Sequence, residues 1–158
     1  MDRPSKPEYF MQLARDVASR ATCLRRQVGA VIVKDDQILS TGYNGSPKGM
    51  PHCDTLGCLR EELQVPSGER YELCRSIHAE ANAVIQAAHN GVRIAGSTMY
   101  VTDMPCYMCA KLIVNAGICE VWVDKMDTYD DKVSSMFNDL GIKGGTLEYS
   151  VVFTNRDE

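Results

Sequence analysis

The chain has 158 residues, 44% of them hydrophobic, and carries 17 Lys and Arg against 21 Asp and Glu, for a net charge of −4 and a pI near 5.4. That is enough chain for one core-bearing domain, and the acidic balance excludes the global basic field of a nucleic-acid binder. No apolar run reaches bilayer length, MDRPSKPEYF lacks the apolar segment of a signal peptide, and seven cysteines without such a signal predict a soluble, cytoplasmic protein in which they serve metal or catalytic chemistry rather than disulfides.

Phe10, Leu13, Val17 and Ala21 recur at helical spacing and predict a helix over 7–22. VGAVIV, an Asp-Asp pair and QILSTGY read as a hairpin with strands at 28–34 and 37–43. Residues 44–75 hold four glycines and three prolines. They predict a long functional or metal-tied insertion with one short helix near 56–64. IHAEANAVIQAAHNG reads as a helix from 77 that stops at Gly91. A strand over 97–102, a helix over 106–117, a strand over 119–123, a helix over 129–141 and a last strand over 146–153 follow. Helices alternating with strands after a hairpin predict an α/β fold: one domain spanning 1–158, with a mixed, about five-stranded sheet and helices on both faces.

In SIHAEANA, a histidine and a glutamate stand two apart where an apolar helix begins. Helix-start electrostatics alone would favour an acidic residue there, but a capping box does not fit, because Ala79 occupies the position three after Ser76. In PCYMC, Cys106 and Cys109 are three apart at another helix start, so both sulfurs share one helix face and the free N–H groups stabilise thiolates. Alone, this Cys-x-x-Cys reads equally as a redox pair. Adding His78 gives one imidazole and two thiolates, a soft donor set for zinc that leaves the fourth tetrahedral position open, as in catalytic sites. Two thiolates cancel the formal charge of the ion, so a nearby carboxylate must take a proton from water. Glu80 is placed to do so as general acid and base.

His78-Ala79-Glu80 with Pro105-Cys106 to Cys109 matches the H-x-E…P-C-x-x-C signature of zinc deaminases. With VGAVIV, STGYNGSPKG and HCD, the chain resembles the cytidine and deoxycytidylate deaminase family over about 8–140, nearest the microbial and phage type that acts on dCMP. The resemblance implies a three-layer α-β-α fold and zinc-dependent hydrolysis of dCMP to dUMP and ammonia, a step that supplies thymidylate synthesis, with Glu80 shuttling protons at C4 of cytosine. It implies that Asn44 lines the nucleotide pocket, and it makes Arg26, Ser46 and Lys48 the candidates for the 5′-phosphate. It further implies a homo-oligomer, often a hexamer, with dCTP and dTTP as effectors. Some relatives close an aromatic residue over the base from the loop after the fourth strand, where this chain has Tyr129.

Some relatives hold the insertion with a second, structural zinc. Cys23, Cys53 and Cys74 stand where its ligands are expected, and Cys58 or His52 would complete four; the alternative is a set of buried free thiols. Cys119, beside Val121 and Trp122, reads as core, and His89 as a partner of the helix C-terminus. Against the dCMP reading stand a tRNA adenosine deaminase, a nucleoside deaminase, a non-catalytic zinc module and a thiol oxidoreductase. The acidic pI and the GYNGSP turn disfavour the first of these.

Overall fold

Ser5 opens the first helix by chemistry local to the chain: its hydroxyl accepts from the Glu8 amide while the Glu8 carboxylate accepts from the Ser5 amide, a capping box. In the computed structural model, which describes residues 2–125 and 130–147, this helix (α1, Lys6–Ala18) ends short of the expected residue 22. Ser19 turns its hydroxyl back onto the Asp16 carbonyl, a local bond that competes with helix continuation.

The hairpin forms as expected, with β1 at Gly29–Lys34 and β2 at Gln37–Tyr43. Asp35 and Asp36 take φ of 50° and 61°, the left-handed pair of a two-residue turn whose twist matches its strands. With β3 (Thr98–Asp103), β4 (Glu120–Lys125) and β5 (Lys143–Thr146), the sheet runs β2-β1-β3-β4-β5. β1 pairs antiparallel with β2 and β3, while β3, β4 and β5 are mutually parallel in sequence.

Strand alternation sorts the two faces. Val31, Val33 and Tyr100 share one core with Phe10, Met11 and Ala14 of α1. Ile32, Met99, Val101, Val121 and Val123 share another with α4 (Ala79–His89), α5 (Tyr107–Asn115) and α6 (Asp131–Asp139). The result is the three-layer α-β-α arrangement with a mixed five-stranded sheet.

Three expectations need correction. The strand beside β4 is Lys143–Thr146, upstream of the expected 146–153, which lies outside the described residues beyond Leu147. Gly144 fits there at φ 139°, where an added Cβ would lie 1.7 Å from the Val121 carbonyl oxygen; a glycine-rich strand carries no β-branched signal to read. The single insertion helix is two one-turn helices, α2 (Cys53–Leu56) and α3 (Leu59–Glu62), broken at Gly57 with φ 84°. Cys119 is exposed just before β4, not core.

Gly42 matters for the site. A Cβ there would come within 2.3 Å of both the Ala79 carbonyl oxygen and the Ala83 amide nitrogen, so only glycine lets α4 lie directly on β2. Ser40 adds a hydrogen bond to the Ala83 carbonyl at 2.8 Å. Among the described residues no helix is long and apolar enough to cross a membrane.

Candidate active site

The start of α4 is pinned before any side-chain chemistry begins. Ile77 exchanges two backbone hydrogen bonds with Gly45 of the GYNG turn, at 2.9 and 3.2 Å, and the Asn82 amide donates to the Tyr43 carbonyl at 2.8 Å. His78 is therefore the N-cap of α4, and Cys106 is the N-cap of α5, its sulfur accepting from the Cys109 amide. The two helix starts converge, with His78 Nδ1 3.5 Å from each of the Cys106 and Cys109 sulfurs.

The ligand atoms of these three residues lie within 4.8 Å of one another, and no other set of three or more such residues does so among the described residues. A tetrahedral zinc with bonds of about 2.1 Å to nitrogen and 2.3 Å to sulfur needs N–S edges of about 3.6 Å. The three residues fit that ion in donor type and spacing. Cys106 is held down to about 4, first by hydrogen bonding from Cys109 and next by His78. Cys109 is driven up because it shares its hydrogen with Cys106 and is buried. Hydrogen bonding to Cys106 raises His78.

Glu80, in the first turn of α4, is 5% exposed, and burial pushes its carboxyl up to about 7. It lines a cavity of about 770 Å³ together with His78, Cys106, Arg26, Asn44 and Asp103. A carboxyl with this pKa, beside a three-ligand cluster at the floor of a nucleotide-sized cavity, can take up and release a proton near neutral pH.

The chain matches the family described as the cytidine and deoxycytidylate deaminase zinc-binding region over residues 4–125. It belongs to that family. The deoxycytidylate deaminase of Mycobacterium phage D29 is 42% identical over 123 residues, covering 75% of this chain and 93% of the phage protein. That of Schizosaccharomyces pombe is 33% identical over 141 residues, covering 89% of this chain but 44% of its own length, so the chain spans less than half of that yeast relative. The crystal structure of dCMP deaminase from cyanophage S-TIM5, in complex with dCMP and dUMP, superposes with a TM-score of 0.72 at 27% identity, covering 93% of this chain and all of that one.

Within this deaminase fold the remaining sequence candidates divide. Asn44 is buried and lines the cavity, but its side chain already accepts from the Val28 amide at 2.9 Å and donates to the Arg26 carbonyl at 2.8 Å. It shapes the wall at least as much as it faces the cavity. Arg26 lines the cavity half-exposed, 3.6 Å from Asp103. Ser46 and Lys48 lie outside the lining, and Lys48 is exposed. Cys23, Cys53, Cys58 and Cys74 gather at the insertion side of the cavity, close enough that the other three add to the burial that raises the Cys53 thiol. His52 instead pairs its Nδ1 with the Thr22 hydroxyl at 3.1 Å. All seven cysteines are free, and His89 closes α4 as expected. Tyr129 lies outside the described residues.

Sequence reasoning missed Arg25, Arg60, Tyr71 and Lys132, which also line the cavity. Arg25 adjoins Arg26 and was open to view in LRRQ. Arg60 and Tyr71 come from the irregular insertion, where no periodicity says which side chains turn inward.

Proposed function

We propose that the chain is a zinc-dependent deaminase that converts dCMP and water to dUMP and ammonia. Buried Glu80 beside the His78, Cys106 and Cys109 cluster, on the floor of a cavity with arginine in its wall, is the observation that carries this reading. The cyanophage enzyme, which holds dCMP and dUMP, supports the choice of substrate.

His78, Cys106 and Cys109 would hold the zinc, which when bound supplies Lewis acidity that makes water a nucleophile at neutral pH. Glu80 does the proton work. Its carboxylate accepts a proton from the attacking water and passes it to the ring nitrogen beside C4. It then accepts the remaining proton from the new C4 hydroxyl and delivers it to the amine, which departs as the C4 carbonyl forms. Burial keeps that carboxyl out of bulk solvent and near 7, so either direction of transfer costs little. Arg26, with Asn44 holding its backbone in place, is the phosphate candidate that the cavity retains. Arg25 and Arg60 add charge to the same wall, and Ser46 and Lys48 do not share it.

A second, structural zinc is best assigned to Cys23, Cys53, Cys58 and Cys74. Their shared place in the cavity lining supports that set, though a metal would have to draw them closer than they stand, and the Thr22 partner of His52 leaves Cys58 as the better fourth ligand. Homo-oligomerisation and control by dCTP and dTTP rest on the family resemblance, and sedimentation with and without dCTP tests both.

The substrate is tested by following ultraviolet loss with dCMP, deoxycytidine and a tRNA anticodon arm on zinc-replete protein. Fast loss of dCMP with little loss of deoxycytidine supports the reading. Turnover of the RNA adenosine alone would replace it.

A further inference from the structure

A histidine that binds a metal through one ring nitrogen normally has its other N–H fixed by a carboxylate or carbonyl, which sets the ring's orientation. In this chain Nδ1 of His78 faces the two sulfurs. No protein acceptor meets Nε2 among the described residues. What does meet the ring is Tyr71, from the 3-10 turn Tyr71–Leu73 of the insertion. The two rings stand edge to face, with centroids 5.1 Å apart and planes at 88°, a favoured aromatic geometry.

Tyr71 is itself held by a cation. The Arg60 guanidinium carbon lies 4.9 Å from its ring centroid, at stacking distance for a cation on an aromatic face. Arg60 is only 7% exposed, and its Nη2 donates to the Pro66 carbonyl at 3.2 Å. A buried guanidinium with no carboxylate against it is costly to keep. Among the described residues no carboxylate pairs directly with Arg60 and Glu72 acts on it only from a distance, so its direct contacts are the stack on Tyr71 and the bond to Pro66.

We infer that Tyr71, clamped by Arg60, is the positioning residue that fixes the imidazole of His78 for its metal, in place of the usual hydrogen-bond acceptor. The insertion is then part of the catalytic centre's support as well as a roof over the cavity. Leverage of this kind is characteristic of groups behind a ligand: losing one costs about 10–100-fold in metal affinity while leaving all ligands in place.

The inference rests on His78 being a zinc ligand. Its test is metal binding to the stripped full-length protein: zinc affinity by competition with a chelating fluorophore, and the absorption bands of bound cobalt. The bands that vanish in Cys109→Ala mark the His78 site. Tyr71→Leu is expected to weaken zinc there about 10-fold or more and to shift those bands, which loss of fold stability alone does not move. Tyr71→Phe, which keeps the ring, restores both to within about twofold of the unaltered protein. Arg60→Met leaves the ring but not its backing and loses affinity in the same direction. Wild-type affinity and bands in Tyr71→Leu overturn the inference; should that variant not fold, the same result in Arg60→Met does so. If the unaltered protein shows no band that depends on Cys109, the zinc reading itself fails.

Discussion

The two groups of cysteines in this molecule are held in different ways. Cys106 and Cys109, with His78, stand at the starts of helices of nine and eleven residues whose apolar faces are packed on the sheet. Their ligand atoms converge within 4.8 Å on the strength of that packing. Cys23, Cys53, Cys58 and Cys74 stand in loops and at one-turn helices of four residues. They gather without reaching that spacing. Helices so short do not sustain themselves, so the proposed second zinc would hold the insertion together, while the core assembles its site in advance.

The largest expected effect separates the two groups directly. Cys109→Ala should lose the catalytic zinc and reduce turnover to background. Cys53→Ala should keep that zinc, lose the second one, melt several degrees lower and retain measurable turnover. Elemental zinc per chain, read beside the melting curve and the rate, checks this; turnover abolished in both variants, or no zinc lost from Cys53→Ala, would break the comparison.

A smaller effect concerns the preformed site without its metal. The pKa of Glu80 is raised in the fold, from the ordinary 4.5 to about 7. Between those values the folded protein therefore holds a proton that the unfolded chain has already released. Stability falls as pH rises through that window, by on the order of 3 kcal/mol once both are passed. Glu80→Gln removes this loss, so in zinc-stripped protein its melting-temperature advantage should grow from pH 5 to pH 8. An advantage that does not change with pH would mean that burial does not act on Glu80 in this way.

The smallest effect probes the packing that places α4. Gly42→Ala sets a methyl group 2.3 Å from the α4 backbone and should cost about 1–3 kcal/mol by overpacking. Denaturant unfolding measures it, with a fall in catalytic zinc affinity and an intact insertion zinc. Loss of the insertion zinc first would place the strain elsewhere.

Much of this architecture is legible in the sequence where one local rule acts alone. The hairpin follows from a β-branched run and an apolar run around Asp35-Asp36, and the His78, Cys106 and Cys109 cluster from two short motifs at helix starts. Legibility fails where tertiary approach decides. Gly144 lies in β5 because the strand sits hard against Val121 there, and no propensity scale marks that. Lys48 has the right charge for phosphate but lies outside the cavity lining, whereas Arg60 and Tyr71 join it from a segment without period. Asn44, chosen for the nucleotide, spends its amide on residues 26 and 28. A motif names its ligands; it does not name what stands behind them.

The central claim is that Glu80 moves the protons of a zinc-dependent deamination. It is tested most directly by dCMP turnover of zinc-loaded Glu80→Gln beside the unaltered protein, with zinc content measured on both samples. The account predicts equal zinc and a rate about 10³-fold lower or worse, within the range that positioned acid–base groups contribute. Equal zinc with a rate within tenfold of the unaltered protein would contradict it.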